Sequence, residues 1–184
     1  MKIGVAKEYW PGEVRTALVP ANAKKLIGLG FSIVMEKKAG SAAGFSDADY
    51  SEVGVELADA RADVVGQAEV LLAVRQPAQD EISSLRKGAV CISFLDPFNE
   101  KGLIEAMAAQ QVTAISMEMI PRSTRAQKMD ALSSQANLAG YVTVVQAAFH
   151  CPKIMPMMMT PAGTIAPARV FVIGAGVAGL QAIA

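Results

Sequence analysis

Arg169-Val-Phe-Val-Ile-Gly174-Ala-Gly176-Val-Ala-Gly179-Leu-Gln-Ala-Ile-Ala184 is the stretch of sequence that decides the fold. It predicts a buried strand over Arg169–Ile173, a glycine turn, and the first turns of a helix. In a Gly-x-Gly-x-x-Gly pattern between strand and helix, Gly174 permits the tight turn and Gly176 lets the backbone approach a pyrophosphate. Gly179 lets the helix pack closely on the strand. The pattern favours a dinucleotide-binding turn, with phosphates at the helix N-terminus, over a purely structural one.

The acidic residue that binds the ribose hydroxyls in such folds is expected about 20 positions further on. That position lies beyond Ala184, the last of the 184 residues. We therefore expect the chain to hold the start of a cofactor-binding lobe rather than a complete one.

Composition narrows the class of protein. A hydrophobic fraction of 52% with 18% charged residues predicts a packed core and argues against disorder. Lys+Arg and Asp+Glu number 17 each, and no basic stripe indicates that the protein binds nucleic acid. With neither a secretory signal nor an apolar run of about 20 residues, we expect a soluble, cytoplasmic protein. Cys91 and Cys151 have no zinc spacing, so we expect both to be buried and no metal site.

Strand and helix patterns alternate through the first two thirds of the chain. Strands are predicted over Lys2–Ala6, Phe31–Glu36, Glu69–Val74, Gly88–Phe94 and Val112–Met117. Helices are predicted over Pro20–Gly30, Ser46–Val53, Ile82–Lys87 and Asn99–Gln110. This alternation indicates an α/β fold, a doubly wound parallel-sheet lobe with right-handed crossovers, over residues 1–125.

A connecting segment is predicted over residues 126–168. Asp130–Phe149 has the spacing of one long helix, and the Met155-Pro-Met-Met-Met159 run is expected to be a packed crossing segment. Residues 169–184 then begin a second, Rossmann-type lobe. His150, the single histidine, has no metal-ligand neighbours and is expected to be a core or surface residue.

A polar stretch from Pro121 to Asn137 lies between a predicted strand and the long helix. Two interpretations stay open on composition. Asp130 or a neighbouring residue caps the helix in a solvated loop. Alternatively, polar residues of this loop face a crevice beyond the strand ends, where α/β proteins bind ligands; these residues are Arg122, Gln127, Asp130 and Ser133.

Four stretches together resemble a known family. They are Lys2–Glu8 with Pro11–Pro20, Arg122–Tyr141, Pro156–Thr164 and Gly174–Gln181. The chain is similar, from end to end, to the soluble NAD(H)-binding domain in the alpha subunit of proton-translocating NAD(P) transhydrogenases. Together these motifs are far more specific than the glycine pattern alone.

The resemblance implies a two-lobed domain that binds NAD(H) in its cleft. Hydride would pass to or from NADP(H) on a partner domain, coupled to proton translocation by membrane-spanning partner domains or subunits. It implies a homodimer, peripheral to the membrane through its partners, without direct membrane insertion or nucleic acid. Alone, the fragment is expected to be inactive.

The resemblance also implies site residues. The nicotinamide end would be held by a loop with a catalytic, orienting role, formed by Arg122, Gln127, Asp130 and Ser133, with Ser134 beside it. The pyrophosphate would meet the backbone of Ala175, Gly176 and Val177, and Gly174 and Gly179 complete this cofactor-binding turn. Direct hydride transfer needs two aligned nicotinamide rings and excluded water, with no acid or base at the ring carbon.

Two alternatives remain. Alanine dehydrogenases open in a similar way, but that family uses a lysine and a histidine where this chain has Arg75 and Asp96. The missing acid/base group disfavours an amino-acid dehydrogenase. A non-catalytic interaction module of the same fold is the third interpretation, and the preserved loop residues argue against it.

Overall fold

A computed structural model describes residues 1–184 of the chain. The chain divides into two compact units, Met1–Ile120 and Pro121–Ala184, and each is described by itself. The domain boundaries expected near residues 125 and 168 stay predictions.

The first unit is built on one sheet. Its strands are β1 Lys2–Val5, β2 Ser32–Glu36, β3 Glu56–Ala58, β4 Val70–Arg75, β5 Val90–Phe94 and β6 Thr113–Ser116. All pair in parallel in the order β3-β2-β1-β4-β5-β6. This order is that of Rossmann-type sheets, with the topological switch point between β1 and β4. The predicted doubly wound α/β fold is confirmed.

Five helices connect these strands. They are α1 Pro20–Gly28, α2 Asp47–Glu52, α3 Arg61–Gln67, α4 Gln79–Ile82 and α5 Lys101–Ala109. Neither β3 nor α3 was predicted from the sequence, because both are too short to show a clear period. Ser46 and Asp49 form a reciprocal capping box at the start of α2, as the pattern predicted.

The helix predicted over Ile82–Lys87 is wrong, since α4 ends at Ile82. The Glu81 carboxylate stabilises the N-terminus of α4, because it accepts a hydrogen bond from the backbone N–H of Ala78 at 3.1 Å. The chain then turns before β5, where the Ala89 N–H donates to the Arg86 carbonyl at 3.0 Å. Capping and turn chemistry therefore place the short helix several residues earlier.

Three apolar clusters form the core of the first unit, and two of them are large. One packs α3, α4 and α5 on β4 and β5 and contains Leu71, Leu95 and Met107. Cys91 also lies in this cluster, fully buried as expected, and burial raises the pKa of its thiol to about 11. The thiol is therefore protonated and packs as a small hydrophobe.

Tyr50 anchors the second cluster, around β1, β2 and α2. Its side chain is fully buried, and its hydroxyl donates to the Leu18 carbonyl at 2.8 Å. A Cβ at Gly40 would lie 2.5 Å from the ring, so the aromatic side chain rests directly on backbone. The phenol thus satisfies a buried carbonyl while it fills the core.

A second close approach joins β1 to α3. A Cβ at Gly4 would lie 2.7 Å from the Ala68 Cβ and 3.0 Å from the Val64 carbonyl oxygen. Real Cβ atoms do not come so close to their neighbours. Because glycine has no side chain, Gly4 lets α3 pack directly on the central strand, β1.

The second unit contains α6 Ala131–His150, a hairpin of β7 Met158–Thr160 and β8 Gly163–Ile165, and α7 Val177–Ile183. The long helix was predicted almost to its bounds. His150, at its end, is exposed. Cys151 is half-buried, so the expectation of a buried thiol is wrong there.

The buried strand predicted over Arg169–Ile173 is wrong. The segment has no strand partner, and Phe171 and Ile173 are 88% and 90% exposed. A strand needs a neighbour to pair its backbone groups, which an apolar run alone does not supply. The packed crossing segment predicted at Met155–Met159 is also wrong, since it leads into the hairpin and Met159 is 82% exposed.

Replacing Gly4 by alanine should destabilise the first unit by about 1–3 kcal/mol, because its Cβ would overpack the contact between β1 and α3. Gly66→Ala is the matched control, since a Cβ at Gly66 within α3 meets nothing within 4 Å. That variant should be neutral or gain about 0.5–1 kcal/mol. Urea unfolding measures both, and equal midpoints would contradict the close-approach argument.

Tyr50→Phe should cost roughly 1–2 kcal/mol, because the Leu18 carbonyl would keep only the longer hydrogen bond from the Thr16 hydroxyl, at 3.3 Å, while the ring stays. Tyr141→Phe is the control, since Tyr141 is 60% exposed. It should change stability by less than about 0.5 kcal/mol. Thermal unfolding of the two variants compares them, and a Tyr50 variant as stable as the control would refute the role of the hydroxyl.

Candidate functional site

The polar loop predicted to hold a ligand opens the second unit. Arg122 and Gln127 are exposed, and Gln127 begins a single 3₁₀ turn, Gln127–Met129. Ala126 is buried and fixes the loop, with its N–H donating to the Ser123 carbonyl at 3.0 Å. The loop is therefore a folded turn with its long polar side chains in solvent.

Asp130 caps the N-terminus of α6. Its carboxylate accepts from the Ser133 N–H at 2.9 Å and from the Ser133 hydroxyl at 2.6 Å. The Ser134 hydroxyl donates to the Asp130 carbonyl at 2.9 Å. The hydrogen bonds from Ser133, with a smaller contribution from the charge of Arg122, lower the pKa of Asp130. The capping role is thus present, and Asp130 remains an anion at neutral pH.

The glycine turn has the geometry that its sequence requires. Gly174 has φ +102°, a left-handed conformation that glycine adopts without strain. A Cβ at Gly179 would lie under 3.0 Å from the Gly174 carbonyl oxygen, closer than real Cβ atoms come. Gly176 is the N-cap of α7, and the Leu180 N–H donates to its carbonyl at 2.9 Å. Only glycine at 174 and 179 permits this compact turn.

The loop and the turn meet in one cleft of about 330 Å³ within the second unit. Its lining residues are Arg122, Leu132, Ser133, Ala136, Ile173, Gly174, Gly176, Val177, Ala178 and Gly179. Six of the residues predicted from sequence are therefore brought together from positions some 40 to 57 residues apart in the chain. Four other predicted residues do not line this cleft: Gln127, Asp130, Ser134 and Ala175.

Four lining residues were not predicted from the sequence: Leu132, Ala136, Ile173 and Ala178. A signal for two of them was present. Leu132 and Ala136 are four positions apart and flank Ser133, so helical spacing places all three near one face of α6. Ala178 lies within the glycine motif itself, and Ile173 immediately precedes it.

The chemistry of the cleft is that of binding and orientation. It offers a guanidinium from Arg122, a hydroxyl from Ser133, and backbone groups of the turn, beside apolar side chains such as Leu132 and Val177. The position a Cβ would take at Gly179 is occupied by the Gly174 carbonyl, so glycine there keeps the turn as compact as a dinucleotide turn requires. No group of three or more His, Cys, Asp or Glu side chains is placed to hold a metal ion.

Arg75 and Asp96, the two positions that separate the enzyme alternatives, lie in the first unit. The Arg75 guanidinium lies over the Trp10 ring, 5.1 Å from its centroid. Asp96 has φ +47°, and its carboxylate accepts from the Asn99 side chain at 2.9 Å. Both side chains thus have local structural partners.

None of the helices in either unit combines the length and apolar character needed to span a bilayer.

Comparison with known proteins identifies related sequences. Residues 4–139 match the model of the alanine dehydrogenase/PNT N-terminal domain, and residues 143–184 match that of the C-terminal domain. The chain is 44% identical to a polypeptide of the NAD(P) transhydrogenase alpha subunit of Rhodospirillum rubrum, over 100% of this chain and 49% of that polypeptide. It is 32% identical to alanine dehydrogenase of Halomonas elongata, over 99% of this chain and 49% of that protein.

A solved structure is also similar. The transhydrogenase from Sinorhizobium meliloti superposes with a TM-score of 0.93 at 47% identity, over 100% of this chain and 55% of that chain. The chain therefore spans about half the length of these relatives. Since the two domain models cover residues 4–139 and 143–184, this chain belongs to the alanine dehydrogenase/PNT family, and it shares more identity with these transhydrogenases than with this alanine dehydrogenase.

Proposed function

We propose that this chain forms the NAD(H)-binding part of a proton-translocating NAD(P) transhydrogenase. The observation that carries the proposal is the cleft in which Arg122 and Ser133 meet the Gly174–Gly179 turn. Similarity to proteins named as transhydrogenase alpha subunits supports it. When bound, NAD(H) supplies or accepts the hydride, and NADP(H) would be held on a partner domain.

The residues of the chain then divide into two groups by chemistry. Backbone groups of Gly174, Ala175, Gly176 and Val177 would meet the pyrophosphate, with Gly179 keeping the turn compact. The nicotinamide end would be oriented by the polar loop: Arg122, Gln127, Asp130, Ser133 and Ser134. Asp130 would act partly through Ser133, whose hydroxyl it already holds at 2.6 Å.

These residues would bind, orient and exclude water rather than move protons. The Arg122 guanidinium is a planar group with several hydrogen-bond donors in a fixed geometry. The Gln127 amide can donate and accept without titrating. Such groups fit a reaction whose rate depends on the distance and alignment of two rings. Proton translocation, membrane-spanning partners and a homodimer belong to the assembled enzyme in this proposal, and the chain would sit peripherally on the membrane through those partners.

The alanine dehydrogenase alternative requires a group that takes up and returns a proton. Arg75 and Asp96 occupy the two positions at issue, and the chain has a single histidine, His150. An arginine stays protonated in proteins and cannot serve as that group. Incubating the protein with L-alanine and NAD⁺ tests this alternative, since NADH formation would favour the dehydrogenase.

Arg122→Gln should weaken NADH binding about ten-fold or more, because a hydrogen bond to a charged group contributes about 1.5–3 kcal/mol. The measurement is a fluorescence titration of NADH with the chain. Arg125→Gln is the matched control: it removes the same charge from the same exposed loop, at a position outside the cleft. Equal losses in both variants would point to general electrostatics and remove Arg122 from the site.

Gln127→Asn should separate orientation from binding. In the assembled enzyme it should leave NADH affinity nearly unchanged and slow hydride transfer to an NADP analogue ten-fold or more, about 1.4 kcal/mol. The shorter side chain keeps its amide but loses reach. Gln146→Asn, the same change at an exposed position of α6, is the control. A normal rate at saturating cofactor would exclude Gln127 from the mechanism.

A further inference from the structure

The crossing of α6 and α7 is unusually close at one point. Gly140 is the buried residue of α6, and a Cβ there would lie under 3.0 Å from the Ala178 carbonyl oxygen. It would also lie 3.0 Å from the Gln181 Cβ. The backbones of the two helices therefore touch, and the contact is possible because Gly140 has no side chain.

A hydrogen bond lies one turn away from this contact. The Asn137 side-chain amide donates to the Gln181 side-chain oxygen at 2.9 Å. Asn137 precedes Gly140 by three positions on α6, and Gln181 follows Ala178 by three on α7. Residues three apart share a helix face, so the two contacts together fix both the separation and the rotation of the helices.

Packing further along the two helices is loose. Beyond the crossing, an apolar cavity of about 660 Å³ opens between the helices and the Val170–Ile173 segment. It is lined on the helix side by Thr143, Val144, Ala147, Ala182 and Ile183. A seven-residue helix such as α7 is not stable by its own hydrogen bonds and needs tertiary contacts. The crossing at Gly140 and Asn137 is thus the tight part of the contact.

We propose that Asn137, Gly140 and Gln181 are positioning residues that hold the glycine turn against the Arg122–Ser133 side of the cleft. None of the three lines the cleft. They act through α7, which carries Val177, Ala178 and Gly179 of its lining. The consequence for NAD(H) rests on the proposed function, while the positioning of α7 can be measured without any ligand.

A double-mutant cycle tests the hydrogen bond. Asn137→Ala and Gln181→Ala should each raise the dissociation constant of NADH about two- to ten-fold, the range expected for one hydrogen bond. The double variant should be no weaker than the worse single variant, because the two side chains act as a pair. Exchanging them, Asn137→Gln with Gln181→Asn, keeps the combined length and should restore affinity. Gln146→Ala, an exposed residue of α6, is the matched control.

Gly140→Ala tests the backbone contact. Its Cβ would push α7 away, so the loss of NADH affinity should exceed that of either alanine variant. Ala139→Ser, a small exposed change on the same helix, should leave affinity unchanged. Thermal unfolding of each variant distinguishes a displaced α7 from a chain that does not fold.

Amide hydrogen exchange without ligand provides the second readout. The Leu180 amide donates to the Gly176 carbonyl at 2.9 Å within α7, so its protection reports whether α7 is held. Protection should fall in the single alanine variants and in Gly140→Ala and return in the exchanged pair. Unchanged protection and affinity in these variants would overturn the inference. If the native chain does not bind NADH at all, the proposed function fails, and exchange alone decides the positioning role.

Discussion

Close approach of backbones, at positions where no side chain fits, is the constraint on which both units depend. At Gly4 it brings α3 onto the central strand of the sheet, and at Gly140 it brings α7 onto α6. At Gly179 it folds the turn back on the Gly174 carbonyl. Interiors are packed as densely as crystals, so one methyl group at such a point must displace a whole element. The lining of the cleft therefore depends on Gly140 and Gly179, two positions that contribute no side chain and whose role is to leave room for a neighbouring backbone.

The sheet could be predicted because its evidence is local and repeated. Apolar runs of strand length at β1, β4 and β5 alternate with helices, and that alternation has few solutions other than a parallel sheet. Arg169–Ile173 has the same kind of apolar run, yet it is neither paired nor buried. The difference lies in the neighbours, because backbone groups of a strand are satisfied only by another strand. Short elements such as α4 were misplaced for a related reason, since caps and turns outweigh a weak period.

The site divides in the same way. The glycine turn is predictable from spacing, since Gly174 and Gly179 meet steric needs within one short motif. The importance of Arg122 and Ser133 came from a resemblance, because the composition of the loop left capping and ligand binding equally open. Asp130 itself caps α6 and lies outside the cleft, and its link to the cleft is the hydrogen bond from the Ser133 N–H that its carboxylate accepts. Asn137 and Gln181 are 44 residues apart, and no local pattern marks two amides as partners at that distance.

Burial and charge separate the two units chemically. In the first unit, Arg75 lies over Trp10 and Asp96 accepts from Asn99, so the positions where an acid/base pair would be needed are occupied by groups with structural contacts. In the second unit, the cleft is lined by one guanidinium, one hydroxyl, apolar side chains and a glycine turn. The nearby carboxylate of Asp130 has its pKa lowered by Ser133, which keeps it charged and unsuited to proton transfer at neutral pH. Both kinds of enzyme transfer hydride, but oxidation of an amino acid also needs a group that takes up a proton. A site whose groups bind and align a ring without exchanging protons therefore supports the proposed transhydrogenase role over that of an amino-acid dehydrogenase.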